Sequence, residues 1–321
     1  MSRVGHYLLV LAAFSATVLA ADGNSTASDD HTRIIGGYVP KKVPAYIALI
    51  LYAVSAAIQW THFTIVTPRR PFILSLTLGM TAMALGFIFR VIYSNTPTSL
   101  GKYIIMDLFI LLSPCLFLAT DYMLLSHLAR TFDDEVADRC LLIRHSCITK
   151  IFVWSDVTTF LLQSSGGGLS VIKSLANVGN TIALIGLIMQ ALSFLLFTVV
   201  LLVFGFRVSK HFPNVWHPQN PRPFKLLSRQ PINDWRIVFY MMALTCVGIL
   251  IRSVFRVAEF AGGFLGPIAT HEGYFYVFDS LPLWIAMSLY CVVWPPRALI
   301  KRSGLKDPLE LNSTRKLNPA V

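Results

Sequence analysis

Apolar residues in this chain gather into long blocks rather than into the one-sided stripes of a water-soluble helix or the alternation of a half-buried strand. A bilayer core of about 30 Å takes about 20 apolar residues in helix, because lipid offers no partner to a free backbone N–H or C=O. Seven stretches meet that requirement, approximately Val43–Phe63, Pro71–Tyr93, Tyr103–Leu128, Ile148–Gln163, Ile182–Phe206, Trp235–Phe260 and Tyr274–Val293, the fourth being the shortest and most polar. The pattern predicts an all-α, polytopic membrane protein of seven transmembrane helices, built as one domain over residues 43–296 without an internal repeat.

The ends of the chain set an orientation. Residues 1–20 combine an early Arg3, an apolar core and the small residues Val18, Ala20 and Ala21, the layout of a cleavable signal peptide. Residues 21–42 then read as a polar extracellular segment, with Asn24-Ser25-Thr26 as a glycosylation sequon at Asn24. An N-terminus outside and seven crossings put the C-terminus in the cytosol, where residues 297–321 form a basic tail. The connections agree: those assigned inside carry eighteen Lys and Arg, those outside five. The Pro-rich basic connection His211–Pro231 is expected to be irregular.

Composition narrows the function classes. The 321 residues are 55% hydrophobic and only 13% charged, with a mean hydropathy of +0.63, against roughly 25% charged residues in soluble domains. The formal net charge of +11 is concentrated in connections between apolar blocks, without the interleaved aromatics of a nucleic-acid surface, so its expected partners are anionic lipid headgroups and no nucleic acid. Of the five cysteines, Cys115, Cys246 and Cys291 lie inside apolar blocks and Cys140 and Cys147 flank a basic loop, so no disulfide framework is expected.

Ionisable side chains within a bilayer cost at least about 2.5–3.5 kcal/mol each, which makes them candidates for function. In the sixth block, Arg252, Arg256 and Glu259 stand at i, i+4 and i+7 on one helical face. An Arg256–Glu259 pair would neutralise itself, leaving Arg252 for a partner on another helix or for a lipid phosphate. In the fourth block, Asp156 and Gln163 share a face with Thr159 between them; such an Asp is either a proton or cation site or the partner of an arginine, and an arginine of the sixth or second helix is the favoured partner. Arg90, Asp107, Asp121, Gln190 and Asp279 extend the set that one polar cavity could gather.

The glycines at 166–168 and at 262, 263 and 266 permit tight turns or close helix approach, and Trp60, Trp235 and Trp294 read as interfacial anchors. No G-x-x-x-x-G-K-[ST] exists for ATP, no lysine in the seventh block for a retinal Schiff base, and no H-E-x-x-H or inward His cluster for zinc; His62 and His127 stand alone. No cofactor, metal or enzymatic activity is expected.

Four stretches carry a resemblance: LLSPCLFLATDYMLLSHLAR, KIFVWSDVTTFLLQSSGGGLS, GLIMQALSFLLF and IRSVFRVAEFAGGFLGPIATHEGYFYVFDSLPLW. The most specific part is R-S-x-F-R-x-x-E, then G-x-x-G, then H-E-x-x-x-Y-x-F-D. Together they resemble the fungal RTA-like proteins, called lipid-translocating exporters, over nearly the whole membrane region; Ala129 stands where a Gly before Arg130 would be expected.

The resemblance implies seven helices and resistance to toxic amphipaths, such as sphingoid long-chain bases and sterol-like molecules, at the plasma membrane. One branch of the family is tied to porphyrin movement. The family motif falls on Asp156, Gln163, Arg252, Arg256, Glu259, Glu272 and Asp279. The function expected is translocation of an amphipathic lipid, with a heptahelical receptor or sensor as the alternative; an intramembrane hydrolase ranks below both. Direction, energy source and oligomeric state are not written in these motifs.

Overall fold

A computed structural model describes residues 40–65, 70–97, 99–132, 139–142, 145–170, 174–216, 234–262, 266 and 271–297. The leader, Asn24, the connection at 217–233, Gly263, Pro267 and the tail from 298 lie outside the described residues.

Helices account for the fold among those residues. In chain order they are α1 (Lys42–Ile65), α2 (Leu74–Asn95, entered through a 3-10 turn at Pro71–Ile73), α3 (Leu100–Ala129), α4 (His145–Ser170), α5 (Ala176–His211) and α6 (Trp235–Ala261). The last, α7, joins Glu272–Tyr274 to a π-helical turn at Phe275–Ser280 and to Leu281–Val292. Six of the seven are long and apolar enough to cross a membrane; α4 is the exception, because Asp156, Gln163 and its Ser and Gly residues lower its hydropathy. Its 26 residues nevertheless extend well past the expected Ile148–Gln163.

Chain order governs the packing. Helix α2 lies between α1 and α3, α4 between α3 and α5, and α6 between α5 and α7, while α7 returns to α1. That last seam is sewn by polar groups: Tyr52 Oη donates to the Ser280 carbonyl at 2.8 Å, Gln59 Nε2 to the Met287 carbonyl at 3.1 Å, and Trp284 Nε1 to Ser55 Oγ at 3.1 Å. Where no water competes, such bonds between helices replace the hydrophobic drive that lipid removes. The α4–α5 seam uses absence of side chains instead. A Cβ on Gly166 would lie 2.5 Å from the Ala183 nitrogen, and Gly179 meets Ser170 as closely from the other side.

At the end of the bundle where α1 finishes and α6 begins, aromatic rings fill the interior: Phe132, Phe204, Trp216 and Phe239 surround Trp235. Two expected anchors are therefore corrected, since Trp235 and Trp294 are 3% and 1% exposed, Trp294 stacking on His62. Burial against other helices, which single-helix position does not reveal, withdraws them from the lipid boundary. Arg297, read as the first residue of a solvated tail, is also buried, in a 3-10 turn at Pro295–Arg297. By contrast, the outer faces of α1, α5 and α6 present Ile, Leu, Val and Phe, as contact with acyl chains requires.

Candidate functional site

Asp279 is the centre of the site. It sits in the π-helical turn of α7, packed against α6, and it is fully buried. Arg252 and Arg256, one turn apart on α6, both reach it: Arg256 Nε donates to Oδ1 at 2.6 Å, and the Arg252 guanidinium makes a direct ion pair with Oδ2. Arg256 also holds Glu259 at 3.0 Å. The expected self-pairing of Arg256 and Glu259 is present, and the partner expected for Arg252 on another helix is Asp279.

A second pair lies beside the first. Arg90 from α2 meets Glu272 at 3.2 Å, and Glu272 also accepts the Lys41 backbone N–H at 2.8 Å and the Tyr276 hydroxyl at 3.3 Å. One buried acid thus ties the start of α1 to α2 and α7. Phe275 joins the pairs, its ring lying 4.4 Å from the Arg90 guanidinium carbon and 5.4 Å from that of Arg256, within cation–π range. Arginine suits this work because its fixed planar fork serves a carboxylate and an aromatic face together.

Asp107 on α3 stands among Arg90, Arg252 and Arg256 yet makes no ion pair with any of them. It is half-buried, and its Oδ2 faces Gly167, where even a Cβ would come only to 3.6 Å. With every group ionised, the ensemble of Arg90, Arg252, Arg256, Asp107, Glu259, Glu272 and Asp279 has one more carboxylate than guanidinium. It can therefore accept a cation. Arg252 and Arg256 also border a small cleft, lined further by Pro114, Gln163, Gln190, Ser253 and neighbouring apolar residues. Gln163 Nε2 donates to Gln190 Oε1 at 2.9 Å, which joins α4 to α5 there. The cleft encloses about 30 Å³, room for a few polar atoms and not for an acyl chain.

Of the seven predicted site residues, Arg252, Arg256, Glu259, Glu272 and Asp279 converge on one end of the bundle, and Gln163 borders the cleft beside them. Asp156 does not join them. Both its oxygens are buried without a hydrogen-bond partner among the described residues, which corrects the expectation of an arginine pair: the arginines are taken by Asp279, Glu259 and Glu272. Asp121 also lies apart, its oxygens accepting from Tyr290 Oη at 2.6 Å and Thr245 Oγ1 at 3.2 Å in a bond set that locks α3, α6 and α7. The surroundings of Asp107 are not legible in local sequence, because its neighbours come from α2, α4 and α6.

Comparison with known proteins settles the lineage. The family model described as RTA1 like protein matches residues 76–302. The chain belongs to the RTA1-like family. Its relatives in Saccharomyces cerevisiae include Protein RTA1, 29% identical over 80% of this chain and 84% of that protein, and protoporphyrin uptake protein 1, 30% identical over 67% and 65%. A third, sphingoid long-chain base transporter RSB1, is 25% identical over 68% of this chain and 63% of the relative. No solved structure matches. The matched region takes in every member of the α6–α7 ion cluster, so the charged ensemble lies within the portion that this RTA1-like chain shares with the family.

Proposed function

We propose that this RTA1-like protein translocates a cationic amphipathic lipid, of the sphingoid long-chain-base class, across the plasma membrane. The observation that carries the reading is the surplus carboxylate: Asp107, half-buried and without an ion pair among the described residues, near three guanidiniums already engaged with Glu259, Glu272 and Asp279. An ammonium headgroup completes that ensemble, with Glu259, the more exposed partner of Arg256, as a second contact. Arg252 and Arg256 keep Asp279 and Glu259 in place rather than touch the amine. The hydrocarbon tail stays against the apolar outer faces of the helices, in lipid throughout. The names of the long-chain-base and porphyrin relatives support amphipaths as the substrate class.

The proposal includes a topology. Helix α4 serves as the seventh span, since 26 residues extend about 39 Å and its polar groups Asp156 and Gln163 are buried between neighbours. The signal-peptide pattern at residues 1–20, the sequon at Asn24 and the excess of Lys and Arg in the connections assigned inside support an N-terminus outside, with the ion cluster at the outer end.

The test is transbilayer movement of a fluorescent sphingoid base in liposomes containing only the purified protein. Flux above that of empty liposomes, lost in a folded Arg256→Ala, supports the reading, because that variant frees Glu259 and half of the Asp279 clamp. No flux from folded wild-type protein overturns it and turns the search to a ligand-dependent signalling partner.

A further inference from the structure

A buried carboxylate normally has a cation or several hydrogen-bond donors beside it, because desolvating an unpaired charge costs several kcal/mol. Asp156 has neither. It is 2% exposed near the middle of α4, and among the described residues no cation stands beside it, the Tyr122 hydroxyl being the donor that faces it. The groups facing it are few. From α3 come the Tyr122 hydroxyl and the Cys115 thiol, with Asp121 beyond Tyr122. From α5 come Gln190, engaged with Gln163 and Cys115, and the rings of Phe194 and Phe197 packed on Tyr122; the basic residues of α5, Arg207, Lys210 and His211, lie at its far end. The three arginines of the cluster are committed elsewhere.

Such a carboxyl meets its burial by holding a proton, which removes the charge without a partner. We propose that Asp156 is a proton-binding site that couples this translocator to a proton gradient, separate from the amine site. One proton bonds to a carboxylate oxygen when the site faces the acidic side, and the same O–H breaks to return the carboxylate when the site faces the other; no other bond changes. Gln163 stands seven residues along the same face of α4, about 10 Å away, at the border of the cleft beside Arg252 and Arg256. A shift of α4 against α5 along the glycine seam at Gly166 and Gly179 would alter both places together.

This coupling rests on the translocation reading, so the experiment has two arms. In the first, infrared spectra of purified wild type and Asp156→Asn are compared near neutral pH. The wild type is expected to show the carbonyl stretch of a protonated carboxylic acid that the variant lacks, and Asp156→Glu to shift that band, which covers the case of an unfolded Asn variant. In the second, liposomes receive a pH step of about one unit together with a trimethylammonium long-chain probe, whose fixed charge prevents simple weak-base trapping.

Coupling of one proton per molecule gives up to about tenfold accumulation in wild type, absent from empty liposomes. Identical spectra overturn the proton site. A difference band with downhill movement but no accumulation overturns the coupling and leaves translocation standing. A difference band with no movement of this probe overturns the coupling, and if the fluorescent sphingoid base does not move either, the translocation reading falls with it while the proton site remains.

Discussion

Asp279 and Asp156 are both buried aspartates on helices of one bundle, and they are treated in opposite ways. Asp279 is clamped by two guanidiniums in a π-helical turn, and its neighbours extend the network through Glu259, Phe275, Arg90 and Glu272. Asp156 faces a tyrosine, a thiol and aromatic rings. The first arrangement fixes charge and geometry at one end of the bundle. The second offers no cation, and on the proposal above its charge is set by a proton. Burial alone therefore does not define the role of an intramembrane acid; what stands beside it does.

The same substitution at the two positions gives the largest contrast. Asp279→Asn leaves Arg252 and Arg256 buried without their shared anion and is expected to destabilise the protein by about 3–5 kcal/mol. Asp156→Asn exchanges one neutral polar group for another and is expected to change stability by less than about 1 kcal/mol. Thermal unfolding in a single detergent, read by circular dichroism, gives the order directly, and equal losses would erase the distinction. Next in size, Arg90→Met should cost about 1.5–3 kcal/mol, since Glu272 keeps the Lys41 N–H and the Tyr276 hydroxyl as donors. A double variant with Glu272→Gln should recover part of that loss.

Smaller still is Gly166→Ala. Its Cβ would lie 2.5–2.9 Å from backbone atoms of Gly179 and Ala183, so the α4–α5 seam must open, at about 1–3 kcal/mol. Gly167→Ala, with only Asp107 nearby at 3.6 Å, serves as its control.

Much of this was legible in the chain itself. Length and apolarity of the blocks gave five of the helices within about three residues, because backbone satisfaction in lipid leaves few alternatives, while α4 and α5 run well past their expected ends. The i, i+4, i+7 spacing of Arg252, Arg256 and Glu259 fixed their common face, and the RTA-like motif marked Glu272 and Asp279 as their companions. What escaped were relations across helices. Nothing local tells that Asp156 meets Tyr122 rather than an arginine, that Trp235 turns inward to Phe132 and Phe204, or that Asp107 stands without an ion pair among the described residues where α2, α4 and α6 meet. The π-helical turn at Phe275–Ser280, which holds Asp279, carries no signal in composition either.

On the proposed function, the surplus carboxylate of the ion cluster receives an amine. The most direct measurement compares a fluorescent sphingoid base with its uncharged N-acetyl derivative in liposomes holding wild type or Asp107→Asn. The account predicts that wild type moves the amine and discriminates against the N-acetyl form, and that Asp107→Asn, folded to the same degree, loses at least about tenfold of the amine flux with the discrimination. Equal handling of both probes by wild type, or undiminished amine flux in Asp107→Asn, would contradict it.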